Sequence, residues 1–147
     1  MTPLQAAYHY GGPMRDRGRG ALLLMSSGAG WAGGARLAVY SATKAFDRNF
    51  AEGLWAELRP SGVDVLSVVV PPTETPALRR LLERNHVPDP PLATAAFVAG
   101  QALAAIGDGP TLVVEADGID TETGAARRAM AERISAGTNA FFGAKES

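Results

Sequence analysis

Three side chains in one short stretch of this 147-residue chain are of the types and spacing that move protons. An apolar run, Ala21–Met25, ends in Ser26 and Ser27. Gly28, Gly30, Gly33 and Gly34 interrupt any regular element, and Tyr40 and Lys44 then open a segment with helical periodicity. Residues four apart share a helix face, so a phenol and an ammonium can point at one site, with a hydroxyl at the exit of the preceding strand. A phenol, with a reference pKa of about 10, can donate a proton near neutrality. An ammonium beside it favours the phenolate and brings such a group toward the range useful for general acid–base work. A serine hydroxyl placed nearby holds a substrate oxygen as charge develops on it. The set suits moving a proton on or off a carbonyl or alcohol oxygen. With no histidine close to Ser27 in sequence, it does not suit acyl transfer. Singly, Ser27 reads as a strand cap, Tyr40 as an amphipathic packing residue and Lys44 as a solvated helix charge; their joint spacing is what singles them out.

Ser27, with Tyr40 and Lys44 as Tyr-x-x-x-Lys in Tyr-Ser-Ala-Thr-Lys-Ala-Phe, resembles the active-site stretch of the short-chain dehydrogenase/reductases. The serine of that family commonly precedes the tyrosine by about thirteen positions, which selects Ser27 over Ser26. The resemblance covers roughly residues 3–118, the C-terminal half of the family's fold. It implies an oxidoreductase that uses NAD or NADP, with Ser27, Tyr40 and Lys44 catalytic and Lys44 also holding the nicotinamide ribose. The stretch Val70-Pro71-Pro72-Thr73-Glu74-Thr75 resembles the family's Pro-Gly-x-x-x-Thr segment, which lies against the nicotinamide and pyrophosphate. Val70 stands at the proline position, Pro71 at the glycine and Thr75 at the threonine. The cofactor contacts so implied are Tyr40, Lys44, Pro71, Thr73 and Thr75. A substrate wall would be formed by Ser27, Ala29, Trp31, Pro72 and Leu78, with Thr73 beside them, and its apolar character suits a hydrophobic alcohol or ketone.

Two departures accompany the match. The family's N-terminal Gly-rich turn, whose backbone N–H groups and helix N-terminus face the pyrophosphate, has no counterpart here. Gly28-Ala29-Gly30 and Gly33-Gly34 follow a strand but lead to Tyr40, and read as the active-site loop. The expectation is one truncated domain over residues 1–147, with the cofactor-binding half absent. The second departure is Pro71: proline fixes φ, restricts the residue before it and has no N–H to donate. The competing expectation is an inactive relative that serves as a structural or dimerisation module.

The chain is long enough for one domain with a real core. A formal net charge of −1 and a pI near 6.1 give no electrostatic case for nucleic acid or an anionic membrane. The absence of cysteine excludes disulfides and thiolate metal sites. His9 and His86 lack partners at ligand spacing, so no metal is expected. No apolar run approaches the ~20 residues of a membrane span, and the N-terminus lacks a signal-peptide pattern. The expected location is cytoplasmic.

The elements that must position the trio alternate between strand and helix, which predicts an α/β, partial Rossmann-like fold with three parallel strands and flanking helices. The strands are expected at Ala21–Met25, Val63–Val70 and Thr111–Ala116, in that spatial order. A first helix starts at Thr2-Pro3, presents Leu4, Ala7, Tyr8 and Tyr10 as an apolar face, and kinks or ends at Gly11-Gly12-Pro13. Arg15–Gly20 reads as a solvated turn. The clearest helix, Tyr40–Leu58, carries Phe46, Phe50, Leu54 and Leu58 as a stripe, with Asp47, Arg48, Glu52 and Glu57 elsewhere. Further helices are expected over Ala77–Asn85, Leu92–Ile106 and Glu122–Phe142. The last has Met130, Ile134 and Phe141 on one side and frays near Gly137. An uncovered first strand and the phenylalanine stripe together predict a homo-oligomer.

Overall fold

The computed structural model describes residues 2–115, 118 and 120–142. Its sheet has three strands, all parallel, in the order β1-β2-β3. β1 (Gly20–Ser27) pairs along its whole length with β2 (Val63–Val70), from Gly20 opposite Val63 to Ser27 opposite Val70. β2 pairs with β3 (Thr111–Val113) from Ser67 opposite Thr111 to Val69 opposite Val113. β2 lies in the middle, and its run of β-branched residues is buried on both faces, as a parallel strand requires.

Helices cover both faces. Beneath α2 (Ala38–Leu58) and α5 (Thr121–Phe142) the core is Leu24, Ala51, Trp55, Val65 and Ala131. On the other face α4 (Ala95–Ala104) covers Leu66, Val68 and Leu112 with its buried Val98 and Ala102. α1 (Pro3–Asp16) lies against β1, and α3 (Pro76–Asn85) follows the exit of β2. The expected three-stranded α/β architecture is therefore the one observed.

Several element-level expectations need correction. β1 is longer than Ala21–Met25 because β2 offers a ladder partner to each residue from Gly20 to Ser27. α1 runs through Gly11-Gly12-Pro13 to Asp16. Its buried Gly11 faces Leu58 at the end of α2, so packing there offsets weak helix propensity. The supposed apolar face of α1 is mostly outward: Ala7 is buried, but Leu4, Tyr8 and Tyr10 are exposed. The fourth helix is shorter than Leu92–Ile106 because Thr94 caps it, accepting from the Phe97 N–H at 3.1 Å. β3 ends at Val113, and the expected terminal residue Ala116 lies outside the described residues. α5 continues past Gly137, and Met130 and Ile134 are exposed on it. The Phe141 side chain lies outside the described residues.

The largest correction concerns α2. Its Phe46–Leu58 stripe is only partly inward: Phe50, Leu54 and Leu58 are half-buried against the core, while Phe46 is exposed with its ring 5.2 Å from that of Phe50. Asp47, Arg48 and Glu52 are buried instead, alongside Ala51 and Trp55. Two of these charges, Asp47 and Glu52, are paired locally, with Lys44 and Arg127. Glu52 accepts from the Thr111 hydroxyl at 2.8 Å and from Arg127 Nε at 2.7 Å, with a second bond from Arg127 Nη2. That network ties α2 to β3 and α5.

The start of α5 carries a pH-dependent contact. Asp120 accepts from the Thr123 N–H at 2.9 Å, and the Thr123 side chain first, followed by this backbone N–H, holds its carboxyl below the usual range. A depressed carboxyl contributes stability that is present above its unfolded value and lost as pH falls through its folded value. Asp120→Asn is therefore expected to flatten the acid side of the stability profile below about pH 4. Urea melts across that range check it; an unchanged acid limb would contradict the assignment.

Candidate active site

The C-terminal end of β1 and the start of α2 are fastened by short bonds. The Ser26 hydroxyl is buried and donates to the Lys44 carbonyl at 2.7 Å. Lys44 Nζ donates back to the Met25 carbonyl at 2.7 Å and to Asp47 Oδ2 at 3.1 Å. Asp47 is 3% exposed, and its Oδ1 has no partner. The i, i+3 spacing from Lys44 was a signal in the sequence for this pair. An ammonium has three donors, so one remains beyond the carbonyl and carboxylate.

Ser27 is the last residue of β1, half-buried, and its hydroxyl accepts from the Ala29 N–H at 3.3 Å as it caps the tight turn Gly28–Gly30. Ala29 is half-buried in that turn. Gly30 is the residue that lets the turn approach α2, since a Cβ there would sit 2.9 Å from the Lys44 carbonyl carbon and the Ala45 nitrogen. Arg48 Nη1 donates to the Gly30 carbonyl at 2.9 Å, and its guanidinium lies 4.3 Å from the centre of the Trp31 ring. Sequence reasoning missed Arg48 and Asp47, which hold this loop and this lysine. Tyr40, in the first turn of α2, is 47% exposed, and Lys44 Nζ lies 6.0 Å from its ring centre.

Ser27, Tyr40 and Lys44 thus stand at the end of β1 and the start of α2, outside the C-terminal edge of the sheet, where open α/β sheets place their sites. The Pro71–Thr75 segment leaves the neighbouring strand β2 at the same edge. Its backbone is fixed by the 90s segment: Ala93 N donates to the Pro72 carbonyl at 3.0 Å, and Glu74 N to the Ala93 carbonyl at 2.9 Å. The Thr73 hydroxyl donates to the Pro71 carbonyl, and Thr75 caps α3 by accepting from the Leu78 N–H. Pro72 is exposed and Leu78 half-buried. Thr73 and Thr75 also line an apolar cavity of about 450 Å³ with Leu23, Met25, Val70 and Val98.

These residues fit a nicotinamide dinucleotide only at one end. Tyr40 and the remaining Lys44 donor could hold a ribose, and the apolar cavity lined by Thr73 and Thr75, which neither of them lines, could take an uncharged ring. Pro71 has no N–H, the Thr75 hydroxyl is engaged in a cap, and the cavity offers almost no polar wall to a pyrophosphate. No group of three or more His, Asp or Glu is placed to hold a metal among the described residues. No helix among them is long and apolar enough to cross a membrane.

Comparison with known proteins identifies relatives of this fold. The family described as short chain dehydrogenase matches residues 2–86. A very-long-chain 3-oxoacyl-CoA reductase from Pyricularia oryzae is 48% identical over 52 residues, which are 35% of this chain and 16% of that protein. Among solved structures, a short-chain dehydrogenase from Sphingobium yanoikuyae, in complex with NADPH, superposes with a TM-score of 0.68 at 21% identity. The match covers 99% of this chain and 54% of that one. A ribose-5-phosphate isomerase from Brucella melitensis 16M gives a TM-score of 0.66 at 28% identity, over 75% of this chain and 48% of that one. The chain thus spans about half the length of the solved structures it matches. With Ser27 on the strand exit, Tyr40 and Lys44 on the following helix and more than half of its residues matched, the chain belongs to the short-chain dehydrogenase family.

Proposed function

We propose that this chain carries the proton-transfer half of an NAD(P)-dependent oxidoreductase that interconverts a hydrophobic alcohol and its ketone. The observation that supports this most is the placement of an exposed Tyr40 phenol one helical turn from Lys44, whose ammonium is anchored to the end of β1. In reduction, the Tyr40 hydroxyl gives its proton to the substrate oxygen; in oxidation it takes that proton back. Ser27, on a turn that Gly30 and Arg48 hold against α2, presents its hydroxyl to the same oxygen. Ala29, Trp31, Pro72 and Leu78 form the apolar wall. The nicotinamide cofactor, when bound, supplies or accepts the hydride. Its adenosine and pyrophosphate would be held by a Gly-rich half that these 147 residues do not contain.

A second reading, an inactive structural module, is favoured by Pro71 and by the two bonds that already engage Lys44. One experiment separates the two. The part of the Sphingobium yanoikuyae enzyme that this chain does not cover is fused ahead of Pro3, and ketone reduction is assayed with NADPH. The oxidoreductase reading expects turnover that falls about 10²–10⁴-fold in Tyr40→Phe. A folded, NADPH-binding fusion whose activity ignores Tyr40 would leave the structural module.

The same reading includes assembly. β1 is an edge strand with an exposed Met25, and Leu4, Tyr8 and Phe46 project apolar surface nearby on α1 and α2. Edge strands of this kind are normally covered. We therefore expect a dimer or larger assembly; sedimentation as a stable monomer at micromolar concentration would remove this part of the proposal.

A further inference from the structure

Arg48 is 7% exposed, and its Nε has no partner among the described residues. No carboxylate pairs with it among the described residues: Asp47 is taken by Lys44, and Glu52 by Arg127. A buried guanidinium without a counter-ion is costly. Among the described residues its side chain donates one hydrogen bond, to the Gly30 carbonyl, and lies over Trp31, which hold the group without neutralising it. Arg48 also lines a groove of about 540 Å³ between α2 and α5. A second guanidinium, Arg127, lines the same groove, so two arginines face one Glu52 there. The groove continues past Met130 and Ile134, which are 39% and 61% exposed, and past Ser135. Burial and the nearby Arg127 cation hold Arg48 below the usual arginine range, with Glu52 opposing them.

We propose that this groove is a binding site for an amphipathic acid, whose carboxylate or phosphate head pairs with Arg48 and whose apolar chain lies along Met130 and Ile134. The head matches the uncompensated cation, and an oxyanion accepts the N–H donors that a guanidinium presents in a fork. The chain matches the exposed Met130 and Ile134 side chains. Because Arg48 also holds the Gly30 carbonyl and the Trp31 ring, an occupied groove would bear on the loop that carries Ser27. The site lies apart from the Tyr40 phenol and does not depend on the proposed oxidoreductase activity.

Calorimetric titration with octanoate, octyl phosphate and acetate tests it, with tryptophan fluorescence followed in parallel. At least one of the eight-carbon probes should bind saturably and about tenfold or more tighter than acetate, because several methylenes leave water. Whichever binds tighter identifies the head as carboxylate or phosphate. The fluorescence change should vanish in Trp31→Phe while the calorimetric binding persists. Arg48→Met should weaken binding at least tenfold. Should that variant fail to fold, Ser135→Glu puts a like charge in the groove without touching Arg48 and should do the same. Absence of saturable binding by both eight-carbon probes, or binding unchanged in Ser135→Glu, would overturn the proposal.

Discussion

Lys44→Met is expected to lower stability by about 3 kcal/mol, before any effect on chemistry is measured. Asp47 is 3% exposed, and its Oδ1 has no partner. Its other oxygen depends on Lys44 Nζ at 3.1 Å. Methionine keeps the length of the side chain and removes the cation, which leaves a buried carboxylate uncompensated and the Met25 carbonyl without its donor. Breaking a buried pair from one side costs more than the pair contributes, since the surviving charge stays in a poor solvent. Lys44 keeps 22% of its side chain in contact with water, which places the cost at the low end of the usual range. The partner substitution supplies the control. Lys44→Met combined with Asp47→Asn should recover most of the loss, because no charge is then stranded. Urea melts of the four proteins form a double-mutant cycle. A single substitution costing under about 0.5 kcal/mol would show that the pair is merely a surface contact. Any loss of activity on replacing Lys44 needs this measurement beside it, because the residue is both a site lysine and a structural cation.

The fold was legible where local pattern and burial agree. Val-Asp-Val-Leu-Ser-Val-Val-Val is rich in β-branched valine, and β2 has the bounds read from it, because a central parallel strand needs no polar face. Thr2-Pro3 marked a helix start that α1 uses. α2 was legible as a helix, but its inner face was not. Periodicity assigns charged residues to solvent, whereas Asp47, Arg48 and Glu52 are buried with partners supplied by Lys44, the Gly30 carbonyl, Thr111 and Arg127. Three of those four lie eighteen or more positions away in the chain, beyond any local pattern. Similarly, Gly11-Gly12-Pro13 has poor helix propensity, yet the helix continues because Gly11 packs close to Leu58. At the site, the spacing of Ser27, Tyr40 and Lys44 placed all three at one edge of the sheet. What spacing could not reveal was the set of bonds that hold Lys44 and the Gly28–Gly30 turn in place.

The second large effect concerns the cofactor: the isolated chain should bind NADH and NADPH more weakly than millimolar and reduce no ketone measurably. A tyrosine in position is worth about 10²–10⁴-fold as an acid. Holding a hydride donor in line with the carbonyl supplies a further ~7–11 kcal/mol of the barrier. That second contribution depends on anchoring the whole dinucleotide. Tyr40, one free Lys44 donor and the Thr73/Thr75 cavity mouth can meet only the nicotinamide end, and Pro71 has no N–H to add. A pyrophosphate needs backbone donors at a Gly-rich turn. The Gly28–Gly30 turn does not serve, because its Gly30 is packed against α2 and its carbonyl is held by Arg48. Direct titration of the purified chain with NADPH, by calorimetry, tests the division most directly. The account predicts no saturation up to millimolar cofactor, in the native chain and in Tyr40→Phe alike. Saturation in the micromolar range would contradict it, and would mean that this chain or its assembly builds a complete dinucleotide site.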